Sequence, residues 1–354
     1  MLFNHDIVGS YPNEQLVRIP GCERYVARSL GITKPGDIIQ LHPDLRHDWE
    51  YICEHYHRVG LPHTMKVVWD LDPAVANDYP ERELSPFMYV DDFYKLRPDH
   101  DWYRTMLLAR SKNDFLRLAH EVGAPIPRTL MYDGTSDVCY ADVHYPCFLK
   151  ADVSASGMGV FRVKDEAELR KILESVEGPL QIQDEIADAT FLNLQYDCTS
   201  GGAKRIIVTE QILDGFVHCG NRFPARRDPW EVTDKVANLL AKMGQRGIIG
   251  IDVAISGDDA IVIECNPRYN GASYPTIVAH KLNAKHWVSQ SMKTRHRSLA
   301  HVDFAHPAWF DPVRGSGAVL LNWGPLYVGG LGLLVIGNPE EERAVLRLLT
   351  HEVL

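Results

Sequence analysis

The sequence predicts a mixed α/β and α+β fold, in which an N-terminal α/β domain precedes two α+β subdomains. Three observations predict this class. Apolar runs alternate with helical stretches through the first hundred residues, which is typical of an α/β layer with a partly parallel sheet. Strand patterns dominate from residue 191 onwards. A chain of 354 residues is also long enough to form two or three hydrophobic cores.

Composition narrows the class of protein. Hydrophobic residues make up 45% of the chain and charged residues 24%, as in ordinary soluble proteins. The net charge of -10 argues against a nucleic-acid-binding surface, which needs clustered Lys and Arg. The 7 cysteines form no CxxC motif, which favours a reducing compartment. We therefore expect a cytoplasmic protein that does not bind nucleic acid.

A membrane segment is not expected. The start of the chain, MLFNHDIVGSYPNEQ, lacks the basic segment and apolar run of a signal peptide. The most apolar late stretch, VGGLGLLVIG, is about half as long as a membrane-spanning helix and is rich in glycine. This stretch predicts a strand.

The second part of the chain begins with a well-marked helix, SKNDFLRLAHEVGAPIP. Ser111 stands at the N-cap position, Asp114 follows three residues later, and Gly123 with Pro125 ends the helix. The patterns that follow predict a strand (PCFLK), a loop of small residues (SASGMG), a strand (GVFRV), a capped helix (DEAELRKILESVEG) and a strand (LQIQDEI). These pieces make one α+β segment.

The remaining patterns are richer in strands. They predict the strands FLNLQYD, KRIIVTEQIL and GFVHCG, the helix EVTDKVANLLAKMG, and the strands GIIGIDVAI and AIVIEC. Strand pattern returns near residues 317–336. A last helix begins with Asn338 as N-cap and Pro339 at its first position.

The stretch VIECNPRYNGASYP places an acid, an amide and a guanidinium close together at the end of a strand. Alternate residues of a strand share a face, so Glu264 and Asn266 project together. The preceding strand contributes Asp252. If the turn between the strands uses Gly257, Asp258 and Asp259, Asp252 lies directly opposite Glu264. A two-residue turn would instead pair Asp252 with Ile263, and we expect the first arrangement.

Two carboxylates in directly paired positions repel each other unless a proton or a cation lies between them. Oxygen ligands with a neighbouring carboxamide suit Mg²⁺, which usually completes its shell with water and substrate phosphates. The pattern therefore predicts a metal–nucleotide site. The alternative is an exposed acidic hairpin whose Asn-Pro-Arg sequence only begins a turn.

A metal–nucleotide site also needs donors for phosphate oxygens. Lys150 ends a strand, and the small residues 154–159 let backbone N–H groups approach phosphates closely. The loop matches neither the Walker A nor the G-x-G-x-x-G pattern. A mobile surface hairpin is the alternative. The sequence QIQDEI would form a hinge strand whose backbone could pair with an adenine edge.

Taken in order, these pieces resemble the ATP-grasp superfamily over roughly residues 105–280. The most specific parts are IECNPR, the GIDV sequence that precedes it and the Lys150 loop. The resemblance implies an N-terminal α/β domain at residues 1–104, a small lid subdomain at residues 105–185 and a C-terminal subdomain with the metal site at residues 186–354. It implies ATP and Mg²⁺, or alternatively Mn²⁺, as the cofactors.

The resemblance also implies roles for individual residues. Metal ligands would be Asp252, Glu264 and Asn266, and the catalytic residues would be Arg268, which steadies the transferred phosphoryl group, and Arg222. ATP-binding residues would be Lys112, Lys150, Ser156, Gly157, Gly159, Gln183, Glu185 and Ile186. Substrate contacts would come from Asn270, Gly271, Ser273 and His218. Thr190 occupies the position where family members often carry a ribose-binding acid, and Asp188 is a nearby substitute.

A family resemblance of this kind implies an ATP-dependent carboxylate–amine ligase that forms an amide or peptide bond through an acyl phosphate, giving ADP and phosphate. The partners would be small-molecule carboxylate and amine substrates, with a homodimer as a possible assembly. The alternatives are an ATP-grasp kinase or carboxylase that forms no amide, and a non-catalytic nucleotide-binding module. Retention of both acids, Asn266, Arg268 and Lys150 counts against the last.

Overall fold

The computed structural model describes residues 1–11, 16, 19–154 and 159–353. The chain divides into two compact units. The first unit comprises Met1–Asp99, Cys219–Ala225 and Tyr269–Leu354, and the second comprises His100–His218 and Arg226–Arg268. Both units mix helices with sheets, which confirms the predicted fold class. The predicted division at residues 104 and 185 stays a prediction.

The strands of the described residues are, in chain order, β1 (Leu2–Asn4), β2 (Ile38–Gln40), β3 (Val67–Val68), β4 (Leu84–Pro86), β5 (Thr129–Tyr132), β6 (Cys147–Ala151), β7 (Val160–Val163), β8 (Leu180–Asp184), β9 (Thr190–Thr199), β10 (Gly202–Asp214), β11 (Val217–Phe223), β12 (Gly247–Ser256), β13 (Asp259–Asn266), β14 (Trp287–Lys293), β15 (Gly317–Asn322) and β16 (Gly330–Ile336). The α-helices of the described residues are α1 (Trp49–Arg58), α2 (Asp91–Leu96), α3 (His100–Arg110), α4 (Lys112–Glu121), α5 (Glu166–Leu173), α6 (Trp230–Met243), α7 (Ser273–Lys281) and α8 (Pro339–Leu348).

The first unit contains the predicted parallel sheet. Its strands lie in the order β3-β2-β1-β4, and all neighbours are parallel. The stretch TMKVVWDL contributes only Val67–Val68, and ERYVARSLG lies in a 3₁₀ helix, Cys22–Ile32. The late strands β11, β14, β16 and β15 are consecutive antiparallel neighbours. The sequence VGGLGLLVIG supplies β16, so its predicted strand is confirmed.

The second unit contains a four-stranded antiparallel sheet and a further group of four antiparallel strands. The four-stranded sheet has the order β5-β8-β6-β7, and the group consists of β13, β12, β9 and β10 as consecutive neighbours. The four-stranded sheet packs on α5 through an apolar core that includes Leu149, Val163, Leu169 and Ile182. A β-sheet that is apolar on one face must bury that face against another element, and here the helix covers it.

Two predicted helix starts are confirmed by their hydrogen bonds. The Ser111 side chain accepts a hydrogen bond from the backbone N–H of Asp114, which caps α4. Asn338 and Glu341 form a reciprocal capping box at the start of α8. Among the described residues, no helix is long and apolar enough to span a membrane.

Candidate active site

The centre of the candidate site is the antiparallel pair β12–β13, where Asp252 lies directly opposite Glu264. This pairing is confirmed, but the predicted three-residue turn is wrong. Ser256 pairs with Asp259, so the turn has two residues, and a regular ladder would then pair Asp252 with Ile263. Instead the register shifts between Asp252 and Val253 and leaves Ile263 as a β-bulge. The bulge returns Glu264 to the face of Asp252.

Amide side chains surround the Asp252 carboxylate. Its Oδ1 accepts hydrogen bonds from Asn193 Nδ2 at 2.6 Å and from Gln211 Nε2 at 2.7 Å. Its Oδ2 accepts one from Asn266 Nδ2 at 3.1 Å. Amide donors on both oxygens fix the orientation of this carboxyl group. Asp252 is therefore held in place on both oxygens.

Asn193 and Gln211 were not predicted from the sequence. A signal for Asn193 was present in FLNLQYD, where Leu192, Leu194 and Tyr196 are at most 2% exposed and point into the core. Asn193 and Gln195 alternate with them and are also buried, and Gln195 donates to Asn193. Two amides on one face of an apolar strand indicate a buried polar network.

Two predicted lysines approach this acidic pair from other elements of the same unit. Lys112, the first residue of α4, places its Nζ 3.2 Å from Glu264 Oε2. Lys150 on β6 donates to Gln183 Oε1 on β8 at 2.7 Å. Both lysines are less than 10% exposed. The structure thus brings together Lys112, Lys150, Gln183, Asp252 and Glu264.

Asp152 explains how the two lysines come together, and it was not predicted either. Its backbone carbonyl accepts from the N–H of Lys112, and its Oδ1 accepts from Ser111 Oγ and from the N–H of Asn113, both at 2.9 Å. The end of β6 is thereby fastened to the first turn of α4. Since Asp152 follows Lys150 by two residues, these hydrogen bonds join the backbone segment of Lys150 to that of Lys112.

The acidic pair does not ionise like two independent carboxyl groups. Burial and the negative charge of Glu264 raise the pKa of Asp252 to about 8. Burial opposes ionisation of Glu264 as well, but the charges of Lys112 and Lys150 hold the pKa of Glu264 below its usual range. Without a cation, Glu264 carries the negative charge and Asp252 tends to keep its proton.

Lys150 is similarly perturbed. Burial lowers the pKa of Lys150 to about 8, although the negative charge of Glu264 acts in the opposite direction. A buried ammonium group that lacks full compensation favours an anion next to it. A phosphate oxygen would supply that charge.

These residues fit a divalent cation bound together with phosphates. Two facing carboxylates supply an all-oxygen donor set, and their mutual repulsion is what a cation would relieve. Asn266 currently turns its amide nitrogen to Asp252, while its Oδ1 accepts from Arg268 at 2.8 Å. Its use as a ligand therefore requires rotation of the amide. Over the described ranges, no group of three or more His, Cys, Asp or Glu side chains could hold a metal ion.

The remaining predicted ATP-binding residues follow β8 or belong to the loop between β6 and β7. Glu185 follows β8, and its carboxylate forms an ion pair with Arg162 at 2.9 Å, which leaves only its backbone for the predicted adenine contact. Ile186 is partly buried, and Gly159 has a left-handed φ of 73°. Ser156 and Gly157 lie outside the described residues. Their roles stay predictions.

The predicted catalytic residue Arg222 and two of the predicted substrate residues have partners within the protein. Arg222 forms a bidentate ion pair with Glu342, with distances of 2.6 and 2.9 Å. Ser273 Oγ accepts from the N–H of Asn270 at 3.0 Å and donates to Asn270 Oδ1 at 3.3 Å. Gly271 and His218 are exposed. The predicted roles of these residues, and of Thr190 and Asp188 at the ribose, stay predictions.

The comparison with protein families agrees with the fold of the second unit. Residues 109–272 match the model of a family described as the ATP-grasp domain. This stretch contains the two lysines, the acidic pair and Arg268. Residues 109–272 therefore form an ATP-grasp domain, and the predicted superfamily is confirmed.

The alignments with curated relatives cover only part of this chain and only part of each relative. The carbamoyl phosphate synthase large chain of Thermus thermophilus is 26% identical over 175 residues, which covers 45% of this chain and 17% of that protein. The formate-dependent phosphoribosylglycinamide formyltransferase of Methanococcus vannielii is 27% identical over 154 residues, which covers 39% of this chain and 38% of that protein. The chain thus spans well under half the length of these relatives.

Solved structures resemble the chain over nearly its whole length. Biotin carboxylase from Campylobacter jejuni, in a complex with β-γ-ATP, has a TM-score of 0.66 at 14% identity and covers 100% of this chain and 91% of its own. N5-carboxyaminoimidazole synthetase from Staphylococcus aureus, complexed with ADP, has a TM-score of 0.61 at 12% identity and covers 92% and 94%. At these identities the likeness shows the fold.

Proposed function

We propose that the ATP-grasp domain of residues 109–272 binds ATP with Mg²⁺ and that the protein is an ATP-dependent carboxylate–amine ligase. A carboxylate is a poor acyl donor because oxide is a poor leaving group. Transfer of the γ-phosphoryl group from ATP to a carboxylate oxygen gives ADP and an acyl phosphate. The nitrogen of an amine then attacks the acyl carbon, the C–O bond to phosphate breaks, and the products are an amide and inorganic phosphate.

The observation that carries this proposal is the pairing of Asp252 with Glu264 beside two buried lysines. Phosphoryl transfer depends mainly on positioning and on neutralising charge. Lys112 and Lys150 would contact the phosphates, and Arg268 would steady the transferred group. Mg²⁺ held by Asp252, Glu264 and Asn266 would offset the remaining phosphate charge. The protein would supply fixed positive charge and exclusion of water from the acyl phosphate.

The test is a screen of carboxylic acids and amines, including amino acids, for ADP release. The expected result is ADP formation that requires both an acid and an amine and yields an amide. Hydroxylamine in place of the amine should trap the acyl phosphate as a hydroxamate. If an acid supports ADP release but hydroxylamine yields no hydroxamate from it, the acyl-phosphate route is contradicted.

The same screen separates the alternatives. A phosphorylated product without an amine requirement indicates a kinase, and bicarbonate-dependent ADP release with a carboxylated product indicates a carboxylase. Absence of Mg²⁺-dependent ATP turnover over the whole panel, together with retained ADP binding, indicates a non-catalytic nucleotide-binding module. Each of these results would replace the ligase proposal.

A further inference from the structure

The first unit has a second feature with the properties of a ligand site, at the carboxyl ends of its parallel strands. The chain runs from β1 to β2 and β3 on one side of β1, whereas β4 lies on the other side. The strand order therefore reverses between β1 and β4, and ligands of open α/β sheets bind outside the carboxyl ends of strands at such a point. His5 directly follows β1, and Phe87 directly follows β4.

Arg28 lies at this edge among aromatic rings. Its guanidinium carbon is 4.4 Å from the ring centre of Tyr274, 5.3 Å from that of Phe87 and 5.5 Å from that of Tyr25. In the part of the chain that the structure describes, Arg28 forms no ion pair with an acid, and its buried Nε has no hydrogen-bond acceptor. Aromatic faces attract a guanidinium cation but offer it no hydrogen-bond acceptor, so the Nε–H of Arg28 is left unsatisfied.

The rings around Arg28 are fixed by contacts with one another. His5, which is 0% exposed, shares a 2.9 Å hydrogen bond between its Nδ1 and the hydroxyl of Tyr274. The same imidazole packs on Tyr269 at 4.4 Å between ring centres. Burial and the positive charge of Arg28 lower the pKa of His5, so this imidazole is neutral and does not compete with Arg28 for an anion. Among the described residues, this edge thus holds a guanidinium group whose Nε lacks a hydrogen-bond acceptor.

We infer that Arg28 binds the carboxylate of a small organic acid in the first unit. A planar guanidinium matches a carboxylate in bidentate geometry, because its N–H groups lie in one plane with the two oxygens. Tyr25, which is partly exposed, supplies apolar contact for the carbon skeleton of the acid. The choice of a carboxylate over another anion rests on the proposed function, which requires an acid substrate. The existence of an anion site rests on Arg28 alone.

Binding of acids to the full chain, without nucleotide or metal, tests this inference. The probes are acetate, benzoate, L-alanine and L-phenylalanine, with inorganic phosphate as the competing anion, measured by isothermal titration calorimetry. At least one acid should bind, and Arg28→Met should weaken its affinity at least about tenfold. Arg46→Met is the matched control, because Arg46 also stacks on a ring of the first unit, at 5.3 Å from Trp69, and is exposed. The control should bind the acid like the native chain.

Arg28→Lys guards against a fold defect in Arg28→Met, since lysine keeps the charge but not the planar pair of donors. It should show an intermediate loss of affinity. The inference is overturned if none of the four acids binds, if only phosphate binds, or if Arg28→Lys binds the acid as tightly as the native chain. Binding of Mg²⁺–ADP should be unchanged in all three variants. Failure of the native chain to bind Mg²⁺–ADP would refute the proposed function and leave the acid measurement intact.

Discussion

Asp252 lies opposite Glu264 because Ile263 is left out of the β12–β13 register. A ladder without this bulge would turn Glu264 towards the opposite face of the sheet and separate the two carboxylates. The bulge therefore determines the geometry of the candidate metal site. It also makes the acidic pair electrostatically unfavourable in the absence of a cation, and several testable consequences depend on this conflict.

Glu264→Gln should lower the ATP turnover number at least about a hundredfold, because it removes one charge of the proposed metal site. Circular dichroism should show an unchanged fold. Glu231→Gln serves as the control, since Glu231 is an exposed acid in the first turn of α6 of the same unit. Full activity of Glu264→Gln in a steady-state ADP-release assay would remove Glu264 from the metal site.

Asp252→Asn should abolish Mg²⁺-dependent turnover and yet stabilise the metal-free protein. The folded-state pKa of Asp252 lies above its ordinary value, at about 8, so the native carboxyl resists ionisation. Stability is therefore lost as the pH rises from about 4 towards 8, and the substitution removes this loss. A melting temperature higher by about 2 °C or more is expected at pH 8, with a smaller gain at pH 5.

Thermal unfolding of both proteins in EDTA at the two pH values provides the measurement. Added Mg²⁺ with ADP should raise the melting temperature of the native protein and leave that of Asp252→Asn nearly unchanged. A variant less stable than the native protein at pH 8 would show that the two carboxylates are not in conflict.

ATP affinity should fall as the pH rises above about 8. Burial lowers the pKa of Lys150 to about 8, so its positive charge is present below this pH and is lost above it. A bound phosphate favours the charged form, and affinity should decline by up to about tenfold per pH unit above the pKa. Fluorescence titrations with an ATP analogue from pH 7 to 9.5 would measure this limb. Lys150→Arg stays charged over this range, so its affinity should decline much less with pH. If the decline is the same as in the native protein, another group is responsible for it.

Gly244→Ala should destabilise the protein more than Gly247→Ala. Both glycines have positive φ, 124° and 70°. A Cβ at Gly244 would lie 2.5 Å from the Cβ of Asp101, whereas a Cβ at Gly247 would meet nothing within 4 Å. We expect losses of about 3 kcal/mol and about 1 kcal/mol respectively, because overpacking adds to backbone strain only at Gly244. Urea unfolding gives both values, and equal losses would show that Asp101 moves away easily.

Local signals in the sequence determined much of the site. The cap at Ser111 fixed the start of α4 and so the position of Lys112, and the alternation in GIDV and IECN put Asp252, Glu264 and Asn266 on matching faces. The turn could not be predicted, because a two-residue turn with a bulge and a three-residue turn give the same pairing of Asp252 with Glu264. The correct pairing was reached through the wrong turn.

Contacts between segments that are distant in the chain could not be predicted from local sequence patterns. Asp252 accepts from Gln211, which lies 41 positions earlier, and Asp152 fastens Ser111 from 41 positions later. The grouping of Tyr269–Leu354 with the N-terminal segment is likewise absent from the order of the chain. Such contacts depend on which strands become neighbours, and this choice is made by packing of whole sheets.

By itself, the sequence determined the chemistry available to this protein: which acids, amides and lysines stand at strand and helix ends, and on which face of each element. Periodicity and capping act over a few residues, so these features can be derived without a fold. Only the tertiary structure decided which of these groups meet. It placed two buried lysines beside Asp252 and Glu264, and it placed Arg28 among aromatic rings with no acid of the described residues paired to it. Burial and proximity set the pKa values and the charge interactions of these groups, and both arise only when remote segments pack together.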